Sequence, residues 1–169
     1  MASEILTYFA YGSNMFEARL RQRVASATLM FSACLPRHEL RFDKVSNKDG
    51  SGKCHVVEVE ESRNVHGAVF QIAAEDEGKL DAAEGFGYGY DKKEVVVLCS
   101  QGNQVGAFTY VATNIEPGLK PFSWYMRHVL EGAKALKLPD AHIKRLAAVE
   151  VIVDPDTERE KRELSIHPD

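Results

Sequence analysis

The sequence holds little of what marks the most familiar catalytic and binding chemistries. Cysteine is scarce: Cys34, Cys54 and Cys99 are the only three in 169 residues, and they lie far apart. They make no CxxC pair, and no histidine-rich segment stands at zinc spacing. An odd, scattered set fits a reducing compartment. The six histidines (His38, His55, His66, His128, His142 and His167) show no HExxH or paired spacing. Each reads as a surface or packing residue rather than a ligand or base. Cys54 adjoins His55, but neighbours on a strand point to opposite faces, so they make a poor catalytic pair. No serine occupies a GxSxG elbow. Neither a metal nor a cofactor is expected. Long apolar runs are missing as well, and nothing approaches the ~18 residues of a membrane-spanning helix. Met1-Ala2-Ser3-Glu4 lacks the basic and apolar stretches of a signal peptide. A cytoplasmic protein without a membrane partner is the expectation. Positive charge is not in excess either: the net charge is −4 and the pI about 5.9. The basic clusters at Arg19, Arg21 and Arg23 and at Lys134 and Lys137 are surrounded by acidic residues, so no nucleic-acid partner is expected.

What the sequence does have is apolar residues, 44% of the chain, enough for the core of one domain. Residues 5–11 read as a buried strand bounded by turn residues. Asn14 is placed to cap a short helix over 15–23, with Met15, Ala18 and Leu20 inward and the arginines outward. Residues 27–42 are strand-like and interrupted by Pro36. Residues 44–53 are polar and glycine-rich and read as a mobile loop. Val56, Val57 and Val59 mark a strand, and 65–72 another, with Gly67 inside it as the mark of a bulge or a close approach. Residues 75–83 suit a helix with an acidic first turn, ended by Gly85. A hairpin follows over 95–98 and 105–112, then helices over 121–136 and from Pro139 to about 149. Residues 1–153 form one expected domain. Residues 154–169 form a charged tail, expected to be partly disordered. This order predicts an α+β fold, a small mixed β-barrel with flanking helices. No internal repeat suggests assembly, and a monomer or homodimer is expected.

Three places could carry chemistry. Tyr11-Gly12-Ser13-Asn14 ends a strand in small residues before a helix, which offers free N–H groups to an anion. On spacing alone it reads more readily as an ordinary strand-to-helix connection with a capping Asn. Glu84 lies four residues after Leu80, so the two share a helix face. A carboxylate buried at a helix C-terminus is biased toward its protonated form, which suits proton transfer. It is equally readable as a helix-end carboxylate in solvent. Gly85-Phe86-Gly87-Tyr88-Gly89-Tyr90 alternates glycine with aromatics and could line a pocket or close over one, or simply pack on the domain.

Taken together these residues resemble the gamma-glutamylcyclotransferase-like family. The carriers are Tyr8-Phe9-Ala10-Tyr11-Gly12-Ser13-Asn14-Met15, Asp49-Gly50-Ser51-Gly52-Lys53, Val65-His66-Gly67-Ala68-Val69-Phe70 and Leu80-Asp81-Ala82-Ala83-Glu84-Gly85. Gly89-Tyr90, Tyr110, Thr113-Asn114, Pro121, Ser123, Tyr125, Gly132-Ala133 and Leu138-Pro139 follow in order. The match spans about residues 5–153. The resemblance implies a small mixed barrel and release of 5-oxoproline from a gamma-glutamyl amino acid or amine. It implies Glu84 as the catalytic acid/base. Tyr8, Phe9, Ala10, Tyr11, Gly12, Ser13, Asn14, Gly52, Tyr90 and Tyr125 become substrate-binding residues for a small gamma-glutamyl compound. Two positions depart from the pattern: Asp91 where many relatives carry a second aromatic, and Ile115 where some carry tyrosine. Segments 44–53 and 86–90 could cover the leaving amine's side, and if Asp91 faced the pocket, it would favour cationic leaving groups. Two other readings remain at this stage: a relative acting on gamma-glutamyl amines or natural products, and a non-catalytic binding module of the same fold.

Overall fold

The computed structural model describes residues 2–168. Its strands are β1 (Ile5–Ala10), β2 (Thr28–Pro36), β3 (His38–Val45), β4 (Gly52–Glu58), β5 (Asn64–Ala73), β6 (Tyr90–Cys99) and β7 (Gln104–Ala112). Its helices are α1 (Glu17–Arg23), α2 (Glu77–Glu84), α3 (Ser123–Ala135), α4 (Asp140–Ala147) and α5 (Thr157–Leu164). Five strands close a barrel in the order β1-β5-β2-β6-β7, and β3 and β4 form a separate two-stranded sheet. The expected α+β barrel with flanking helices is therefore the fold.

The barrel closes around β1. That strand runs antiparallel to β5, from Ile5 opposite Ala73 to Ala10 opposite Ala68, and parallel to β7, with Tyr8 opposite Phe108. Tyr8, Phe9 and Ala10 are all buried, as an apolar strand paired on both edges requires. Gly67 marks the close approach expected of it. A Cβ there would stand 2.2 Å from the Ala10 carbonyl oxygen and 2.9 Å from the Phe9 ring. Val65, Val69, Phe70 and Ile72 of β5 complete the core beside it.

The helices pack outside. Leu80 is the buried anchor of α2, and Gly85 ends that helix at φ 74°. The N–H of Phe86 then donates to the Asp81 carbonyl at 2.9 Å, a left-handed glycine stop. On α3, Trp124, Tyr125, Met126, Val129 and Ala133 are buried. Gly132 brings α3 onto the backbone of the first turn, since a Cβ there would stand 2.7 Å from Phe16 N.

Four expectations need correction. Ser13–Met15 is a separate 3-10 turn, and α1 begins only at Glu17, with Phe16 and not Asn14 at the capping position. Asn14 is engaged by Tyr8 and Glu84 instead. Ala18 is exposed and Arg19 is buried, the reverse of the expected faces, because Arg19 finds polar partners on the inner side. Residues 44–53 are not a free loop: they hold the ends of β3 and β4, and Lys44, Ser46 and Ser51 are buried. The terminal segment, expected to be partly disordered, forms α5. Asp156 caps it by accepting from the Arg159 N–H at 3.0 Å, and Glu163 reaches Arg19 at 2.7 Å.

Candidate functional site

Glu84 is the last residue of α2, and the glycine stop behind it aims its side chain at the 3-10 turn that follows β1. The carboxylate is 16% exposed. Asn14 Nδ2 donates to Glu84 Oε1, and Arg23 stands 3.5 Å from the same oxygen. Asn14 also donates to Tyr8 Oη at 3.1 Å and accepts from Arg23 at 3.1 Å. Arg23 thus compensates the charge of the carboxylate, while Asn14 fixes its position through a network anchored on β1. Lone buried carboxylates are unfavourable, and paired ones are not.

Opposite Glu84 the turn itself is supported from three directions. A Cβ on Gly12 would stand 3.0 Å from Cys54 Cβ and 3.3 Å from Tyr125 Oη. Ser13 Oγ accepts from Arg19 Nε at 3.1 Å. Tyr125 Oη accepts from the Cys54 N–H at 3.0 Å, and Tyr90 Oη donates to the Cys54 carbonyl at 2.6 Å. The leading N–H groups of a 3-10 turn have no acceptor inside it, so those of Ser13 and Asn14 can serve a ligand.

These residues enclose an inner cavity of about 30 Å³. Its walls are the turn from Tyr11 to Asn14, Glu84, Cys54 and the rings of Tyr8, Tyr90, Tyr110 and Tyr125. A second, larger cleft of about 500 Å³ shares Ser13, Glu84, Tyr90 and Tyr125 with it and extends toward the β3–β4 turn and α5. Burial pushes the hydroxyls of Tyr8, Tyr11, Tyr90 and Tyr125 far above the ordinary tyrosine range, so all four remain neutral donors and acceptors. Burial also pushes the Cys54 thiol up to about 12. A thiol in that state is a poor nucleophile. His55 turns away and pairs with Asp43.

Of the residues singled out in the sequence, Tyr8, Tyr11, Gly12, Ser13, Asn14, Glu84, Tyr90 and Tyr125 all line the inner cavity. Phe9 and Ala10 do not: their side chains lie in the barrel core, and Phe9 contributes its carbonyl to Thr109 Oγ1 at 2.8 Å. Gly52 lies outside the walls of both cavities, held against the Phe42 backbone, where a Cβ would come within 2.1 Å of the carbonyl oxygen. In the 86–90 segment only Tyr90 faces the site, while Phe86 and Tyr88 are exposed. Asp91 is exposed and outside both linings, and Ile115 is 45% exposed. The sequence reading missed Arg19, Arg23 and the α5 residues of the cleft wall, whereas Lys44 and Lys53 bound the segment it expected on the leaving side of the substrate. Among the described residues no cluster of three or more His, Cys, Asp or Glu could hold a metal ion, and no helix is long and apolar enough to cross a membrane.

Comparison with known proteins gives consistent relatives. The model of the AIG2-like family matches residues 64–146. Gamma-glutamylcyclotransferase from Homo sapiens is 30% identical over 151 residues, covering 87% of this chain and 80% of the relative. The Mus musculus protein of the same name is 29% identical over the same coverage. A solved structure named gamma-glutamyl cyclotransferase superposes with a TM-score of 0.83 at 27% identity, covering 94% of this chain and 99% of that one. A Homo sapiens structure described only as an uncharacterized protein gives 0.81 at 28% identity, covering 92% and 97%.

Proposed function

The chain belongs to the gamma-glutamylcyclotransferase-like family, and from that premise we propose that it cyclises a gamma-glutamyl amino acid or amine to 5-oxoproline. The substrate's α-amine nitrogen attacks its own γ-carbonyl carbon, and a five-membered lactam closes. The γ-amide C–N bond breaks and the former amide nitrogen leaves as an amine. The α-ammonium must lose a proton before attack, and the leaving nitrogen must gain one. Glu84 carries both transfers, taking the first proton and returning it to the leaving group. The nucleophile is already tethered, so the remaining work is orientation. The N–H groups of Ser13 and Asn14 hold substrate oxygens, including the one on which negative charge develops. Tyr90 and Tyr125 wall the reacting centre, and neither Cys54 nor a covalent intermediate takes part.

The observation that carries this reading is that Asn14 and Arg23 both reach one oxygen of Glu84 beside the Gly12 turn, with Asn14 held in turn by Tyr8 and Arg23. A general acid/base must be held in one place, and here a turn amide braced by the β1 tyrosine and a helix-borne cation hold it. The test is 5-oxoproline release from a panel of gamma-glutamyl amino acids and amines. Turnover of at least one compound is expected. Failure of the purified, folded protein to turn over any of them would overturn the reading in favour of a binding module.

A further inference from the structure

Lys44 and Lys53 stand directly opposite each other on β3 and β4. Cross-strand partners project from the same face of a sheet, and like charges in that position repel. Both line the large cleft. Lys44 is 4% exposed, and it makes no ion pair with a carboxylate among the described residues. Its Nζ rests 4.4 Å from the centre of the Tyr90 ring. Lys53 Nζ lies 4.4 Å from the centres of both the Trp124 and Tyr125 rings, with Asp49 at 3.4 Å as its one carboxylate partner. Tyr90 and Tyr125 are also walls of the Glu84 cavity, so the two ammonium groups stand where the cleft meets the reacting centre.

A sheet that opposes a buried Lys44 to a partly buried Lys53, with a single carboxylate paired to Lys53, is short of negative charge. The cleft as a whole does not supply it: seven basic and four acidic side chains line the wall, these two lysines and Asp49 included, in a chain whose net charge is −4. Burial lowers the Lys44 ammonium and brings that of Lys53 down to about 8, which is the same shortage seen from the side of the proton. Asp91, which the sequence placed as a possible selector of cationic leaving groups, lies outside this cleft, and the charge of the cleft has the opposite sign.

We propose that Lys44 and Lys53 form the subsite for the leaving portion of the substrate and select leaving portions that carry two carboxylates, an acidic amino acid rather than a neutral one or a simple amine. This rests on the cyclotransferase reading above. The gamma-glutamyl half is common to all candidate substrates and sits against the turn and Glu84. The departing half extends into the cleft, where its α-carboxylate and side-chain carboxylate bridge the opposed ammonium groups.

The test uses gamma-glutamyl-glutamate and gamma-glutamyl-glutamine, which match in size and differ by one charge. Charge-assisted hydrogen bonds are the stronger kind, and the wild-type protein is expected to favour the glutamate compound by about tenfold or more in kcat/KM. In Lys44→Met and in Lys53→Met that preference falls to within about twofold, and Lys44→Arg retains it. Lys44→Met should also raise the Tm of the ligand-free protein, since it removes one of two opposed charges. A wild-type preference of one or less, or one that persists unchanged in both methionine variants, would overturn the proposal. Calorimetric titration of both compounds reads the same preference without turnover. Equal affinities in wild type would overturn the subsite alone, whereas tighter glutamate binding with no 5-oxoproline from any compound would overturn the cyclisation and leave the subsite standing.

Discussion

Glu84 and Gly12 face each other across a space that holds little more than the reacting atoms, so single side chains there have separable effects. Glu84→Gln keeps the shape and its place beside Asn14 but removes the proton carrier. A fall in kcat of at least about 100-fold is expected, with an unchanged circular dichroism spectrum; near-normal turnover would remove Glu84 from the mechanism. Gly12→Val introduces a Cβ at 3.0 Å from Cys54 and 3.3 Å from Tyr125 Oη, and its branched methyl groups fill the cavity. Substrate binding measured by calorimetry should be lost, while Ser13→Ala, which removes only the oxygen facing Arg19, should weaken it mildly. Local rules flagged Glu84 and the Gly12 turn, through a glycine that stops a helix after an inward leucine and small residues after a buried strand, but it was the family resemblance that singled them out, and Tyr8 and Tyr125 were reached through it alone. Arg19 and Asn14 were misread because local rules also apply to them and lose. An arginine is assigned to solvent and an asparagine to a cap until a distant partner offers more, and for Arg19 that partner is Glu163, 144 residues away.

At the scale of elements, α5 is the largest departure from expectation. Its composition is that of a solvated tail, but Glu163 turns inward to Arg19 and His128, and Arg159 pairs with the buried Asp154 that accepts from Trp124. No periodic apolar stripe advertises it, because it is held by charge. Hydrogen bonding from His128 and the charge of Arg19 bring the Glu163 carboxyl down to about 2. Glu163→Gln should therefore loosen α5 and, through Arg19 and Ser13, the turn. The loss of a charged hydrogen bond is worth about 1–3 kcal/mol, and at this chain length each kcal/mol lowers Tm by roughly 2–4 °C. A several-fold rise in KM should accompany the lower Tm. A drop in Tm with KM unchanged would make α5 a brace for the fold alone. The barrel strands, by contrast, were readable from their apolar runs, and the β5 glycine from its position within one. The pairing order was not, since nothing local distinguishes β1's partner β7 from any other apolar strand.

For the whole molecule the buried histidines set the response to acid. Burial holds His128 at about 4, opposed by Glu163 and reinforced by Arg19 and His167. Burial likewise holds His142 at about 4, with His66 and Arg145 facing it and its Nε2 unpartnered. Each value is below that of the unfolded chain, near 6.5, so the unfolded state binds the proton first. The stability these rings contribute is complete above about pH 6.5 and is lost as pH falls through 4, on the order of 3 kcal/mol for each fully buried ring. Tm should be flat near neutrality and fall steeply from about pH 6.5 to 4, and His142→Leu should flatten part of that fall. A Tm that is level over this range would mean the rings are charged in the fold. The closure of the barrel through β1 and β7 has a consequence for how the protein is made. The turn beside Glu84 is made well before its supports: Tyr11 Oη donates to the Tyr110 carbonyl, 99 residues later in the chain, and Arg19 pairs with Glu163, 144 residues later. At roughly 5–20 residues per second, the chemistry-bearing turn spends several seconds or more in the growing chain before its supports exist. The turn is therefore fully braced only once the chain has been made through Glu163.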